Sequence, residues 1–345
     1  MGLKEEISEQ PETLRRLLDT QMEQVERIAA ALGQRDVDYV FLAARGTSDH
    51  AGLYAKYLWG ALNRLPMALA APSLFSLYDR PPALKQALVV GISQSGQSPD
   101  IVGVVAAGRR QGAPTLAITN DATSPLAQAA EFVIDICAGA ERAVAATKTY
   151  TAQLMAIAML SVALGQDEER TEQLHRVPEL AQQALALDET IERVAERYRY
   201  MERCVVLGRG YNYATAFEWA LKLKELTYMV AEPYSSADFQ HGPIAIVGQG
   251  FPVLAVAPAG AVHDDMLALL RRLSEKQRAE LLVISNEEDV LATAHTPLRL
   301  PRDIPEWLSP LVSIIPAQLF CYHLTRAKGY STESPRGLSK VTLTQ

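Results

Sequence analysis

The sequence predicts an α/β protein made of two tandem units, each a parallel sheet between two helical layers, with a helical segment in front and a short tail behind. Three observations carry this. Short runs that are apolar throughout, such as residues 39–44 and 87–92, each lead into a Gly- or Ser-containing turn and then a helix-length stretch, the pattern of βα units buried on both faces. That series occurs twice. Landmark residues also recur at a near-constant offset: Gly46 and Gly210 stand 164 positions apart, as do Gly96 and Gly260, and Asn120 precedes Asn286 by 166.

Residues 4–32 are charged and Gly-free, with Leu14, Leu17, Leu18 and Met22 at helical spacing, so the chain opens with one or two helices. Strands are expected at 39–44, 87–92, 115–118 and 132–136, and again at 204–207, 252–257 and 281–284. The acidic stretch Gln166-Asp167-Glu168-Glu169 and the helical segment up to about Tyr200 mark the joint. The expected division is a helical segment at 1–35, a first α/β domain at 36–190, a second at 191–330 and a tail at 331–345. A chain of 345 residues has material for two such cores.

A net charge of -7 gives no electrostatic reason to approach nucleic acid or an anionic membrane, so an anionic ligand needs a local site. Cys137, Cys204 and Cys321 are an odd number lying far apart, which indicates neither a disulfide framework nor a zinc cluster. The first residues lack a signal-peptide pattern and no apolar run reads as spanning length, so the expectation is a cytoplasmic protein without a membrane partner.

In Ser93-Gln94-Ser95-Gly96-Gln97-Ser98 a strand ends in hydroxyls and glycine before a helix with Pro99 in its first turn. Backbone N–H groups, the positive end of a helix dipole and serine hydroxyls together suit a phosphate monoester; a plain N-capped turn is the simpler reading of the loop alone. Arg45-Gly46-Thr47-Ser48-Asp49-His50 also joins a strand to a helix, and in a parallel sheet it emerges at the same carboxyl edge. Gly208-Arg209-Gly210-Tyr211-Asn212-Tyr213-Ala214 comes close to a dinucleotide fingerprint, with Glu232 where a ribose-binding acid could stand, but Tyr213-Ala214 replaces the third glycine. No cofactor is expected.

Glu218, Lys222 and Glu225 line one helical face, as an ion-pair row or, given the apolar neighbours Leu221, Leu223 and Leu226, as a buried acid-base group. His241, in Gln240-His241-Gly242-Pro243, could transfer protons from a turn. The remaining histidines show no metal-ligand spacing, and no metal site is expected. Lys340 sits in a terminal segment that composition would leave frayed, although Pro335, Gly337 and Leu338 could dock it and present its amine to a carbonyl.

Taken in order, the blocks Gly46-Thr47-Ser48, Ser93-Gln94-Ser95-Gly96, Val144-Ala145-Ala146-Thr147-Lys148, Leu221-Lys222-Leu223-Lys224-Glu225, His241-Gly242-Pro243 and Pro335-Arg336-Gly337-Leu338-Ser339-Lys340 resemble the sugar isomerase (SIS) domain family. Within it they are similar to the isomerase half of the glucosamine-6-phosphate synthases and to single-chain glucosamine-6-phosphate deaminases. The resemblance implies two flavodoxin-like SIS domains and a hexose 6-phosphate or amino-hexose 6-phosphate substrate. Thr47, Ser48, Ser93, Gln94, Ser95 and Ser98 would bind it, with Val144 and Ser339 supplying sugar contacts. It further implies Glu225 as the base moving a proton between C1 and C2, Lys222 assisting, His241 opening the ring, Lys340 forming an imine, and a homodimer in which His241 acts across the interface.

Departures accompany it. No glutaminase domain or nucleophilic amino-terminal cysteine precedes these blocks in the sequence, so ammonia is not expected to come from glutamine. Arg45 stands where the synthases usually have Cys, and Gln97-Ser98-Pro99-Asp100 looks like the single-chain deaminases. The favoured expectation is conversion of glucosamine 6-phosphate to fructose 6-phosphate and ammonia; another phosphosugar isomerase is the near alternative and a non-catalytic sugar-phosphate sensor the distant one.

Overall fold

The computed structural model describes residues 2–340. It contains two five-stranded, all-parallel sheets. The first is built from β1 (Tyr39–Ala43), β2 (Met67–Leu69), β3 (Ala87–Ile92), β4 (Thr115–Thr119) and β5 (Phe132–Asp135), in the order β2-β1-β3-β4-β5. The second comprises β6 (Arg203–Gly208), β7 (Val230–Ser235), β8 (Pro252–Val256), β9 (Glu280–Ser285) and β10 (Thr296–Arg299), in the order β7-β6-β8-β9-β10. Stepping each strand number by five maps one order onto the other, so the repeat seen in the glycine offsets is a repeat of topology.

The chain divides into two compact bodies that are not consecutive stretches. One, holding the first sheet, draws on residues 12–141, 148–176 and 339–340; the other draws on 2–11, 142–147 and 177–338. The leading segment forms the helices Leu3–Ser8 and Gln10–Leu32.

Alternation along the strands explains the layering. In the first body Phe41, Ala43, Val89 and Ala117 pack with Ile101, Val104 and Val105 of the helix Pro99–Arg110. The alternate residues Val40, Leu42, Val90 and Ile118 are equally buried, and the helices Thr47–Asn63 and Lys148–Gly165 pack together, with Trp59 Nε1 donating to the Ile157 carbonyl at 3.1 Å. Both faces are therefore apolar, each buried Val, Leu or Ile contributing about 1.5–3 kcal/mol. The second body repeats this: Val205, Val253 and Val283 meet Met266, Leu270 and Leu273 of the helix His263–Glu275. The helices Tyr213–Thr227 and Ser309–Ala327 pair through Trp219 and Phe320, whose ring centroids are 6.0 Å apart.

The six central strands and the edge strand β5 lie where the apolar runs placed them. The runs miss β2, β7 and β10. All three are edge strands: β2 is three residues long and partly exposed, and β7 and β10 carry Pro233 and Pro297, which an edge tolerates because an outward N–H has no ladder partner. One expectation is corrected. The segment Glu306–Ala327 is long and apolar enough to cross a membrane by composition, but 94% of its apolar window is buried inside the fold, as befits a core helix.

Candidate active site

Both loops singled out in the first half emerge at the carboxyl edge of the first sheet, after β1 and after β3. Ser93 directly follows β3 and is buried, and Gly96 comes three positions later with φ of +62°. A side chain at Gly96 could not be accommodated, since a Cβ there would lie 2.1 Å from Ser124 Oγ. The loop is shaped by its own hydroxyls: Gly96 N–H donates to Ser93 Oγ at 3.1 Å and Gln97 N–H to Ser95 Oγ at 3.3 Å. Ser98 occupies the N-cap of Pro99–Arg110, yet its side chain makes no capping bond. The plain N-cap reading of this serine therefore fails, and its hydroxyl sits at the positive end of a twelve-residue helix.

The neighbouring loop turns at Gly46, with φ of +54°, and its helix starts at Thr47. Ser48 is buried and accepts a bond from Gln153 Nε2 at 3.0 Å. Burial raises the Asp49 carboxyl pKa, with His50 and Arg45 opposing. Gln153 lies outside the sequence motifs, and 105 positions separate it from its partner.

The tail contributes to the same body. Lys340 Nζ lies 2.7 Å from a carboxylate oxygen of Glu141, whose side chain is fully buried. Glu141 also accepts from the Thr149 N–H at 3.1 Å and from the Thr149 hydroxyl at 2.8 Å. The frayed-tail reading therefore does not hold at Lys340. Ser339 beside it is exposed, and Glu141 was not singled out in the sequence.

In the second body Glu218, Lys222 and Glu225 share one face of Tyr213–Thr227. Lys222 Nζ is 3.3 Å from Glu218 and 2.6 Å from Glu225; Lys222 and Glu218 are buried, whereas the Glu225 side chain keeps 22% of its surface exposed. This is a buried group and not a solvated ion-pair row. Burial alone works to lower the lysine pKa, but the two carboxylates outweigh it and raise the value well above that of a free lysine. Lys222 is thus a fixed cation, leaving Glu225 as the reachable carboxylate. His241 follows the short helix Ser236–Gln240 and is exposed; Val144 is half-buried in this body as well.

Thr47, Ser48, Ser93, Gln94, Ser95, Ser98, Ser339 and Lys340 thus belong to the first body, and Val144, Lys222, Glu225 and His241 to the second.

The rival dinucleotide loop is filled by its own chain. A Cβ at Gly208 would lie 2.2 Å from the Asn212 carbonyl oxygen, and buried Asn212 bonds Ser309, Thr215 and Ser313. Gly208 serves packing, and Gly210 serves a turn with φ of +59°. Three possible metal ligands do converge where sequence spacing gave no sign: His263, Glu287 and Asp289 offer atoms within 4.8 Å of one another. The His263 ring nitrogens are already engaged by Asp264 at 2.9 Å and Asp289 at 3.2 Å, which describes an ion-paired histidine at a partly exposed edge.

Comparison with known proteins supplies relatives. The SIS domain family model matches residues 35–163 and 199–327. A glutamine--fructose-6-phosphate aminotransferase (isomerizing) of Aquifex aeolicus is 34% identical over 97% of this chain, and one of Methanothermobacter thermautotrophicus is 35% identical over 97%. The chain spans only 56% of the length of either relative. Among solved structures, a proposed phosphosugar isomerase from Silicibacter pomeroyi superposes with a TM-score of 0.87 at 36% identity, covering 96% of this chain and all of that one. The C-terminal domain of glucosamine-fructose-6-phosphate aminotransferase from Francisella tularensis gives 0.85 at 29% identity, covering 96% of this chain and 98% of that one.

Proposed function

This chain belongs to the SIS domain family, and from that premise we propose that it is a phosphosugar isomerase that deaminates glucosamine 6-phosphate to fructose 6-phosphate and ammonia. The observation that carries the reading is the Glu218-Lys222-Glu225 group: a buried, permanently charged ammonium held 2.6 Å from a carboxylate that solvent still reaches. Such a carboxylate suits proton transfer, and the adjacent cation suits an oxyanion developing on the sugar.

The roles follow from the chemistry. The hydroxyls and N–H groups of the Thr47-Ser48 and Ser93 to Ser98 loops would bind the phosphate, with Val144 and Ser339 against the sugar. His241 would open the ring. Glu225 would take the proton from C2 of the open-chain aldehyde and return it to C1, leaving an iminium at C2. The Lys340 amine would add at C2 and ammonia would leave as its own C2–N bond breaks; water would then add to the resulting lysine imine, and cleavage of the C2–Nζ bond would release fructose 6-phosphate and restore the amine. The exposure of His241 in the single chain supports its acting in a partner's site, within a cytoplasmic homodimer. Gln97-Ser98-Pro99-Asp100 supports deamination.

A second reading, the isomerase portion of an aminotransferase, is favoured by what the Aquifex and Methanothermobacter relatives are named. One assay separates the readings: the pure protein is incubated with glucosamine 6-phosphate while ammonia and fructose 6-phosphate are followed together. Equal amounts of both products are expected. Amination of fructose 6-phosphate by added ammonia without the forward reaction favours the second reading, and binding without turnover refutes both.

A further inference from the structure

Arg45 and Asp100 form a contact for which neither the resemblance nor the phosphate reading assigns a role. Arg45 lies in the loop after β1, two positions past the end of the strand and one before the Gly46 turn. Its Nε donates to Asp100 Oδ2 at 3.0 Å and its Nη2 lies 2.9 Å from the same oxygen. The Asp100 side chain has no exposed surface, while that of Arg45 keeps 49%. The other carboxylate oxygen of Asp100 accepts the Ile101 N–H at 2.9 Å, inside the first turn of the helix that follows Ser98. One guanidinium therefore bolts the Thr47-Ser48 loop to the helix start that presents the Ser93 to Ser98 loop, across 55 positions of sequence.

A buried carboxylate needs a cation and good geometry, and a forked guanidinium holds two donors in one plane where an ammonium offers a point charge. Two loops that must close on one phosphate lose affinity when their spacing relaxes, because bonds to a charged ligand depend steeply on distance and angle.

We propose that Arg45 is a positioning residue that sets the spacing of the two phosphate loops through Asp100, and thereby determines affinity for the phosphate of the substrate. The inference rests on this edge being the phosphate site. It concerns binding and not proton transfer, so it predicts a split between KM and kcat.

The test uses the full chain, glucosamine 6-phosphate turnover, and inorganic phosphate as competitive inhibitor. Arg45→Ala should raise KM and the inhibition constant for phosphate by the same factor, at least tenfold, with kcat within twofold of the parent. Arg45→Lys should not restore either constant. Because Arg45→Ala removes a cation from beside a buried carboxylate and could impair folding, the neutral pair Arg45→Met with Asp100→Asn is measured beside it. The pair should keep the parent's melting temperature and still show the raised constants. Unchanged KM and phosphate inhibition in the neutral pair overturn the proposal, as does a fall in kcat alone. A wild-type protein that neither turns over the sugar nor is inhibited by phosphate removes the site reading and the proposal together; a normal wild type with normal variants removes only the role of Arg45.

Discussion

The two halves share one topology and differ most at the same corner of it. In the first, the loop after β3 carries Ser93, Ser95 and Ser98 around Gly96. In the second, the loop after β8 reads Pro258-Ala259-Gly260, and an acid occupies it: Glu306 Oε2 accepts the Ala261 N–H at 3.0 Å, and a Cβ at Gly260 would lie 2.1 Å from the Glu306 carboxyl carbon. The second edge thus already holds an anion of the protein's own. The frame around the loops stayed the same. Asn120 and Asn286 each donate to a carbonyl just after the last strand of their sheet, at Gly139 (2.7 Å) and Arg302 (3.0 Å). Duplication preserved the scaffold while the loops and one helix diverged, so ligand and chemistry have to be argued from side chains and not from fold.

If the halves divide the work in this way, equivalent changes should have unequal effects. The largest is expected at Glu225: Glu225→Gln should lower kcat by about a thousandfold or more, within the range attributed to general acid-base groups, with KM changed little. Steady-state kinetics on glucosamine 6-phosphate reads it. Next is Lys222→Met, which removes the cation beside the buried Glu218 and the partly exposed Glu225; a loss of about 3–5 kcal/mol in urea unfolding is expected beside lost turnover. The pH dependence follows from the same group. Its folded pKa is raised, so its contribution is fully present below the unfolded value of 10.5 and is lost only as pH rises through the higher folded value. Unfolding free energy at pH 7 and pH 9 should therefore show no loss assignable to Lys222.

Smaller effects come from the loops. Ser95→Ala should raise KM about tenfold, the loss of a bond to a charged ligand, whereas the matched change Ala259→Ser in the second loop should leave both constants unchanged. The smallest is Glu306→Ala, which frees the Ala261 N–H; thermal unfolding should show a cost of about 1–2 kcal/mol with turnover intact.

Much of the scaffold is legible in the sequence because central strands of a parallel sheet are apolar, and six such runs, with that of the edge strand β5, stand out from the helices between them. Three of the four edge strands are not, since β2, β7 and β10 have a ladder partner on one side only and tolerate polar residues and proline. Loops after strands are legible for the same reason as the strands they follow. What the motifs do not reveal is what steadies them: Gln153 behind Ser48, Glu141 under Lys340 and Asp100 behind Arg45 are ordinary polar residues whose partners lie 105, 199 and 55 positions away. The difference between an ion-pair row and a buried group at Glu218, Lys222 and Glu225 also depends on covering by the second body's core, which helical spacing alone does not report.

The division of labour is tested most directly by calorimetric titration of Glu225→Gln with glucosamine 6-phosphate, which this variant should bind without consuming. The account predicts one equivalent bound per chain with affinity close to the KM of the parent. Loss of binding in proportion to the loss of turnover, or two equivalents bound, would contradict it.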